Sequence, residues 1–213
     1  MSSTKLPLFE DAKDSDCEGS AVNIAIDIET LGALSVHPIV SVGIVVGDDH
    51  GNLLKTRRFN IIADWRPERD GGGMENRCWD EFWSKQTEHI PLCQVDAQEP
   101  ALAWQAVVDF IESVADGKKT RFLTDNASFD IARCDQAVER YLHRLPIRYS
   151  SKGKYRSVRS ADDMYDMIPK VHREQYDQWL KTNCPHCHKD PHNPVSDATH
   201  IYYQFVFAKL YLE

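Results

Sequence analysis

The sequence predicts an α/β fold in which a mixed central β-sheet, part antiparallel meander and part parallel strands, is flanked by α-helices. Three observations carry that expectation. Three β-rich runs open the ordered part of the chain with short turns between them, later strands are short and separated by helical periodicity, and the resulting order is βββ-α-β-α-β-α. A length of 213 residues, 42% hydrophobic and 27% charged, suits one sizeable soluble domain and is short for two.

The elements follow in order. Residues 1–20 are polar and acid-bearing with no apolar h-region, so they read as a disordered tail rather than a secretory signal. Residues 21–213 then form a single domain. Val22–Ile28 alternates apolar and polar residues as a half-buried strand does. Pro38–Asp48 is rich in β-branched residues and ends in an Asp-Asp-His-Gly-Asn turn, and Leu53–Ile62 is a third strand. Past Gly71–Gly73, the stretch Glu75–Glu88 sets Trp79, Phe82 and Trp83 at helical spacing. Ala103–Gly117 is an amphipathic helix that stops at its glycine. Phe122–Thr124 is a short strand, Phe129–Leu142 a helix, and Val158 marks another short strand. Helical stretches follow at Met164–Ile168 and Arg173–Leu180. The last helix spans Pro194–Leu212, with Asn193 as N-cap and Pro194 at the first helical position.

Composition excludes some classes of function. No apolar run approaches the ~20 residues needed to span a bilayer, and with no signal peptide the expected compartment is the cytoplasm. A net charge of −8 argues against a generally basic nucleic-acid coat. It does not argue against a nuclease, because bound divalent cations supply the charge that phosphates need. The six cysteines, Cys17, Cys78, Cys93, Cys134, Cys184 and Cys187, read as reduced thiols or metal ligands rather than a disulfide framework.

Three clusters carry chemistry. Asp27-Ile28-Glu29-Thr30 ends the first strand, and strand alternation puts both carboxylates on one face. Such a pair repels unless a cation or proton neutralises it, though a solvated pair at a strand end is equally ordinary. Asn126-Ala127-Ser128-Phe129-Asp130 follows a strand and opens a helix, where both functional and capping residues occur. His192-Asn193-Pro194-Val195-Ser196-Asp197-Ala198 sets an imidazole before a helix and a carboxylate in its first turn, where an acid also complements the helix dipole.

Taken together, the order Asp-x-Glu-Thr, Asn-x-x-Phe-Asp, His-x-x-x-x-Asp-Ala from Asp27 to Ala198 resembles the His-containing branch of the DEDD exonucleases. This DEDDh, or DnaQ-like, branch holds ribonuclease T, oligoribonuclease and the proofreading ε subunit. Phe82–Gln86, FWSKQ, is similar to a Trp-Trp-x-x-Gln segment of phage-encoded exonucleases in the superfamily. The resemblance implies a ribonuclease H-like fold and a 3′-5′ exonuclease that uses two Mg²⁺ or Mn²⁺ ions and releases nucleoside 5′-monophosphates. It implies that Asp27 bridges both ions, that Glu29 and Asp197 hold the one activating water, and that Asp130 holds the one near the leaving group. His192 would be the general base, with an ordinary pKa of about 6.5. Thr30 and Leu31 stand where relatives place backbone donors and a wedge against the terminal base. Phe129 stacks on a nucleotide or belongs to the core, and Asn126 orients the terminal nucleotide or caps the helix. Asp125 stands where relatives often carry His or Gly, and no function is read into it.

Two further features stay open on sequence grounds. Arg144, Arg148, Lys152, Lys154, Arg156 and Arg159 form an acid-free run interleaved with Tyr149 and Tyr155, either a track for single-stranded or 3′-overhanging nucleic acid or a solvated basic loop. Cys184 and Cys187 have the spacing of half a zinc knuckle, with His186, His188 and His192 close by, and a local site would add His188 or His200 or borrow a distant cysteine. Reduced thiols are favoured there over zinc, and a disulfide that stiffens the loop is the third reading. The alternative to an enzyme is a nucleic-acid-binding scaffold on an inactive nuclease fold, against which the complete acid set argues. A zinc-dependent interaction module would leave Asp27 and Glu29 unexplained. RNA and DNA are not distinguished, and a homodimer fits the habit of ribonuclease T and oligoribonuclease.

Overall fold

The computed structural model describes residues 21–149, 155–185, 187 and 192–212. The expected N-terminal tail, Lys152, Lys154, His186 and His188 lie outside the described residues. Strands β1 (Val22–Thr30), β2 (Ile39–Gly47), β3 (Leu53–Asn60), β4 (Thr120–Thr124) and β5 (Ser157–Ser160) form one sheet in the order β3-β2-β1-β4-β5. β1–β2 and β2–β3 pair antiparallel, while β1–β4 and β4–β5 pair parallel, so the sheet is mixed as expected.

Helices α1 (Asn76–Glu81) and α2 (Ile90–Gln94) lie in the β3-to-β4 connection, with α3 (Pro100–Ala115) after them. Beyond β4 come α4 (Asp130–Leu142), α5 (Ala161–Asp166), α6 (Lys170–Asn183) and α7 (Pro194–Leu212). α3 begins one turn earlier than expected because Pro100 occupies its first position, where a missing N–H costs nothing. Its end is marked by Gly117 at φ +66°. Ser160 caps α5 by accepting the Asp163 N–H at 3.1 Å. Among the described residues, no helix is long and apolar enough to cross a membrane.

β1 is covered on both faces, not half-buried as its alternation suggests. Val22, Ile24, Ile26 and Ile28 pack with Val42 and Ile44 against Trp104, Val107 and Ile111 of α3 and Ile131 and Val138 of α4. The opposite face, whose Asn23, Asp27 and Glu29 look solvent-directed, lies under α7, where Ala25 joins Val45, Leu123, Ile201, Tyr202 and Phe205. Two glycines of β2 permit this close cover. A Cβ on Gly43 would stand 2.1 Å from the Pro194 carbonyl, and one on Gly47 would stand 2.2 Å from the Tyr202 ring. Gly43 pairs with Asp27, so the first turn of α7 sits over the strand that carries the acids.

The expected single helix over Glu75–Glu88 is broken. α1 stops at Glu81, Phe82 turns out with φ −125° and ψ −74°, and a 3₁₀ turn covers Trp83–Lys85. The cause is tertiary. Trp83 is fully buried, and its indole N–H donates to the Thr30 carbonyl at 3.0 Å, an anchor that a straight helix would not reach. α2, which the sequence pattern did not suggest, follows this break. The basic run also differs from expectation. Arg156 is buried and donates to Glu112 at 2.9 Å, and Arg148 pairs with Asp135, so these two are internal ion pairs. Of the described members, that leaves Arg144 and Arg159 for a nucleic-acid track.

Candidate active site

The open end of β1 delivers two carboxylates toward α7. Asp27 and Glu29 share a face with Ala25, and Glu29 is only 7% exposed. β4 runs parallel beside β1 with Leu123 opposite Ala25, so the chain leaves β4 at Asp125 next to Asp27. The following turn closes when Phe129 and Asp130 donate their N–H groups to the Asn126 carbonyl, each at 3.0 Å. Asp130 then starts α4, buried, with the Thr124 hydroxyl donating to it at 2.6 Å.

α7 supplies the other half. Asn193 Oδ1 accepts the Val195 N–H at 3.2 Å, the expected cap, and Asp197 lies one turn in. Asp197 Oδ2 accepts the backbone N–H of His192 at 2.9 Å, which holds His192 in a left-handed conformation at φ +64°. Ligand atoms of Glu29, His192 and Asp197 come within 4.8 Å of one another, as do those of Asp27, Asp125 and Asp130. The two groups adjoin in an open cleft of about 730 Å³.

This crowding has an electrostatic signature. Burial, and then the carboxylates of Glu29, Asp197, Asp130 and Asp125, push Asp27 well above the usual carboxylate range. Burial and then Asp197 raise Glu29, while the Arg58 guanidinium opposes them. Asp130 is pushed up to about 7, chiefly by burial, with the Thr124 hydrogen bond pulling down and Asp125 pushing up. Burial and then His89 lower His192, so its imidazole is neutral and free to accept a proton near pH 7. Acids held this way are stable as anions only beside cations. The carboxylate oxygens in both groups are donors that Mg²⁺ or Mn²⁺ takes, so the acids fit divalent ions.

The expected site residues do not all face the cleft. Asp27, Glu29, Thr30, Asn126, Phe129, Asp130, His192 and Asp197 line it. Leu31 does not. It is fully buried with Val40, Met74, Trp83 and Cys93, so it has no side-chain surface to offer as a wedge. It is held among these residues because Glu75 N–H donates to the Leu31 carbonyl at 2.8 Å. The Thr30 carbonyl is also occupied, by Trp83 and by the Cys78 thiol at 3.8 Å. Phe129 is half-buried against the core, with the Arg133 guanidinium 5.4 Å from its ring.

Cys184 and Cys187 are buried in the apolar cluster with Tyr176 and Ala198, both as free thiols, and Asp197 is near enough to help raise Cys187. Cys187 N–H donates to the Cys184 carbonyl at 3.0 Å. The Cys187 thiol donates to Cys184, which lowers Cys184 and raises Cys187.

Glu75, Arg77, Asp162 and Gln204 line the cleft without having been singled out from the sequence, and Asp125 and Phe82 line it without having been given a role there. For Asp125 a signal existed. Continuing the parallel register two residues past Ala25 and Leu123 brings it beside Asp27. For Phe82 the FWSKQ likeness was a signal, but a helical reading of Glu75–Glu88 leaves no reason for that side chain to point into the cleft.

A family model for the 3′-5′ exoribonuclease Rv2179c-like domain matches residues 22–206. No curated protein matches the chain. Among solved structures, the fold is similar to a product-bound exonuclease I at 14% identity and TM-score 0.54, covering 89% of this chain and 43% of that one. Exonuclease I from Methylocaldum szegediense is similar at 13% identity and TM-score 0.57, covering 89% of this chain and 40% of that one. A metal-free form of an E. coli exonuclease I complex with single-stranded DNA gives 16% identity and TM-score 0.55, covering 89% and 39%. At such identities the likeness is one of fold, the ribonuclease H-like one, and this chain spans about two fifths of those proteins' length.

Proposed function

The chain belongs to the 3′-5′ exoribonuclease Rv2179c-like domain family, and on that premise we propose that it hydrolyses phosphodiester bonds from the 3′ end of single-stranded RNA, releasing nucleoside 5′-monophosphates. The observation that carries this reading is the pair of adjoining acid clusters, with the His192 imidazole in one of them. Divalent ions, when bound, supply positive charge against the scissile phosphate and make water more acidic. Asp27, pressed by acids of both clusters, is the residue suited to hold two ions. Glu29 and Asp197 would hold one, and Asp130, steadied by Thr124, the other.

His192 takes the proton of the attacking water. Its lowered proton affinity keeps a lone pair available at neutral pH, and its left-handed backbone, tied to Asp197, fixes where the ring starts from. Asn126 and Phe129 stand on the β4 side of the cleft, where a terminal nucleotide would meet an amide and an aromatic edge. Ribose is favoured by the family's description; the single-stranded DNA of one exonuclease I complex makes DNA the comparison arm.

The test is digestion of matched 3′- and 5′-labelled RNA and DNA oligonucleotides with Mg²⁺ or Mn²⁺. Stepwise loss of mononucleotides from the 3′ end of RNA, abolished by EDTA, is the expected result. Release from the 5′ end, internal cuts, or undiminished digestion in EDTA would overturn the reading.

A further inference from the structure

The aromatic wall facing His192 has no counterpart among the acids, and it is built at some cost to local regularity. The helix that begins at Asn76 ends abruptly at Glu81, and Phe82 adopts a non-helical conformation between it and the next turn. On one side of that break, Trp83 is buried edge-on to Trp65, with ring centroids 4.9 Å apart, and is bonded to the Thr30 carbonyl. Glu75 adds a second tie, since its carboxylate accepts the Ala33 N–H at 3.0 Å. The segment is therefore fastened to the end of β1 just beyond Glu29.

On the other side of the break the Phe82 ring enters the cleft and stands edge-to-face against the His192 ring. Their centroids are 4.6 Å apart and the planes cross at 89°. His89 presents a third ring to His192 at 6.3 Å. Phe82 is itself steadied edge-on by Trp83 at 4.9 Å. The His192 backbone is fixed by Asp197, but among the described residues its ring carries no hydrogen bond that sets its rotation. An imidazole on a fixed backbone still turns about its side-chain bonds, and a proton acceptor that turns away from the water is idle. An edge-to-face partner at this distance favours one ring orientation.

We propose that Phe82 is a positioning residue: its ring holds the His192 imidazole in the orientation from which a ring nitrogen reaches the water beside Glu29 and Asp197. The inference rests on the reading of His192 as the general base. Phe82 touches no reacting atom in this assignment, so its removal slows turnover while leaving ion binding and RNA affinity nearly intact.

The experiment is a double-mutant cycle on the purified protein. Phe82→Ala should lower kcat roughly 10- to 100-fold, with KM for a labelled RNA oligonucleotide and the Mn²⁺ dissociation constant from calorimetry each within about threefold. Phe82→Tyr, which keeps the ring, should restore most of the rate, and Phe82→Leu, which leaves a smaller void, should fall between. In the His192→Ala background, Phe82→Ala should cost little more, because the ring it positions is gone. A multiplicative loss in that background would overturn the proposal, as would a loss confined to KM or a Phe82→Ala enzyme with wild-type kcat. If instead His192→Ala itself keeps full kcat, the assignment of the base fails and takes the inference with it. Wild-type kcat in Phe82→Ala beside a crippled His192→Ala sinks the positioning role alone.

Discussion

The two faces of β1 are built from the same nine-residue strand and do opposite work. One face, Val22, Ile24, Ile26 and Ile28, is apolar, buried and self-consistent: every side chain there gains by being removed from water. The other, Asn23, Ala25, Asp27 and Glu29, is covered except where Asp27 and Glu29 meet the cleft, and it includes carboxylates that burial and neighbouring acids hold above their normal proton affinity. Stability resides on the first face and is partly relinquished on the second. Chemistry depends on that surrender, since ions bind where anions have been packed without partners.

The sharpest way to break this contrast is to substitute one residue on each face. Asp27→Asn should lower kcat on the order of 10³-fold and yet raise the melting temperature of the metal-free protein at pH 8. Its neighbour Ile26→Ala should cost about 2–5 kcal/mol of stability and leave kcat per folded molecule near wild type. Steady-state kinetics and thermal melts on both proteins check this, and an Asp27→Asn protein that melted lower would remove the idea of stored repulsion.

A substitution that moves one cover relative to the other comes next. Gly43→Ala puts a methyl into the Pro194 backbone, so the start of α7 must shift. We expect a loss of roughly 1–3 kcal/mol together with a fall in kcat of about tenfold. Activity unchanged at reduced stability would mean that the seat of α7 on β2 does not set the site.

The third prediction concerns pH. Asp130 has a folded pKa of about 7 against an ordinary 3.8. Its pKa is raised, so the protonated form favours the folded state and no cost is felt below about pH 4. As pH rises from 4 to 7, the unfolded chain ionises first and stability falls, reaching its full penalty once the folded carboxyl ionises as well. Metal-free protein in EDTA should therefore lose melting temperature across that window, by an amount that Mn²⁺ restores above pH 7, and Asp130→Asn should flatten the decline. A melting temperature that climbed from pH 4 to 7 in EDTA would contradict the assignment. The smallest effect belongs to Asp125→Asn, which relieves Asp27 and Asp130 from an exposed position. It should raise the metal-free melting temperature by about 2 °C and weaken Mn²⁺ binding severalfold in calorimetry.

The acids and the last helix were legible in the sequence because their signals are local. Asp27 and Glu29 follow from strand alternation, and Asn193-Pro194 marks the start of α7 through a cap and a fixed φ. The ribonuclease H-like sheet could be anticipated from the order of elements together with motifs in register. What was not legible depends on distant partners. Leu31 reads as available until Trp83 and Met74 close over it, and Asp125 reads as a turn residue until β4 is laid in register beside β1. Phe82 reads as one more helix position until the bond from Trp83 to Thr30 shows where the helix must break. Arg148 and Arg156 read as free cations until Asp135 of α4 and Glu112 of α3 claim them.

The bond between Trp83 and Thr30 has a kinetic consequence. Its proton is buried and held at 3.0 Å, so it exchanges with solvent only when the aromatic wall lifts from the acid-bearing strand. In an ¹⁵N spectrum that single indole resonance becomes a clock for the opening of the cleft, and its exchange rate, with and without Mn²⁺ or RNA, times how often the wall behind His192 comes loose.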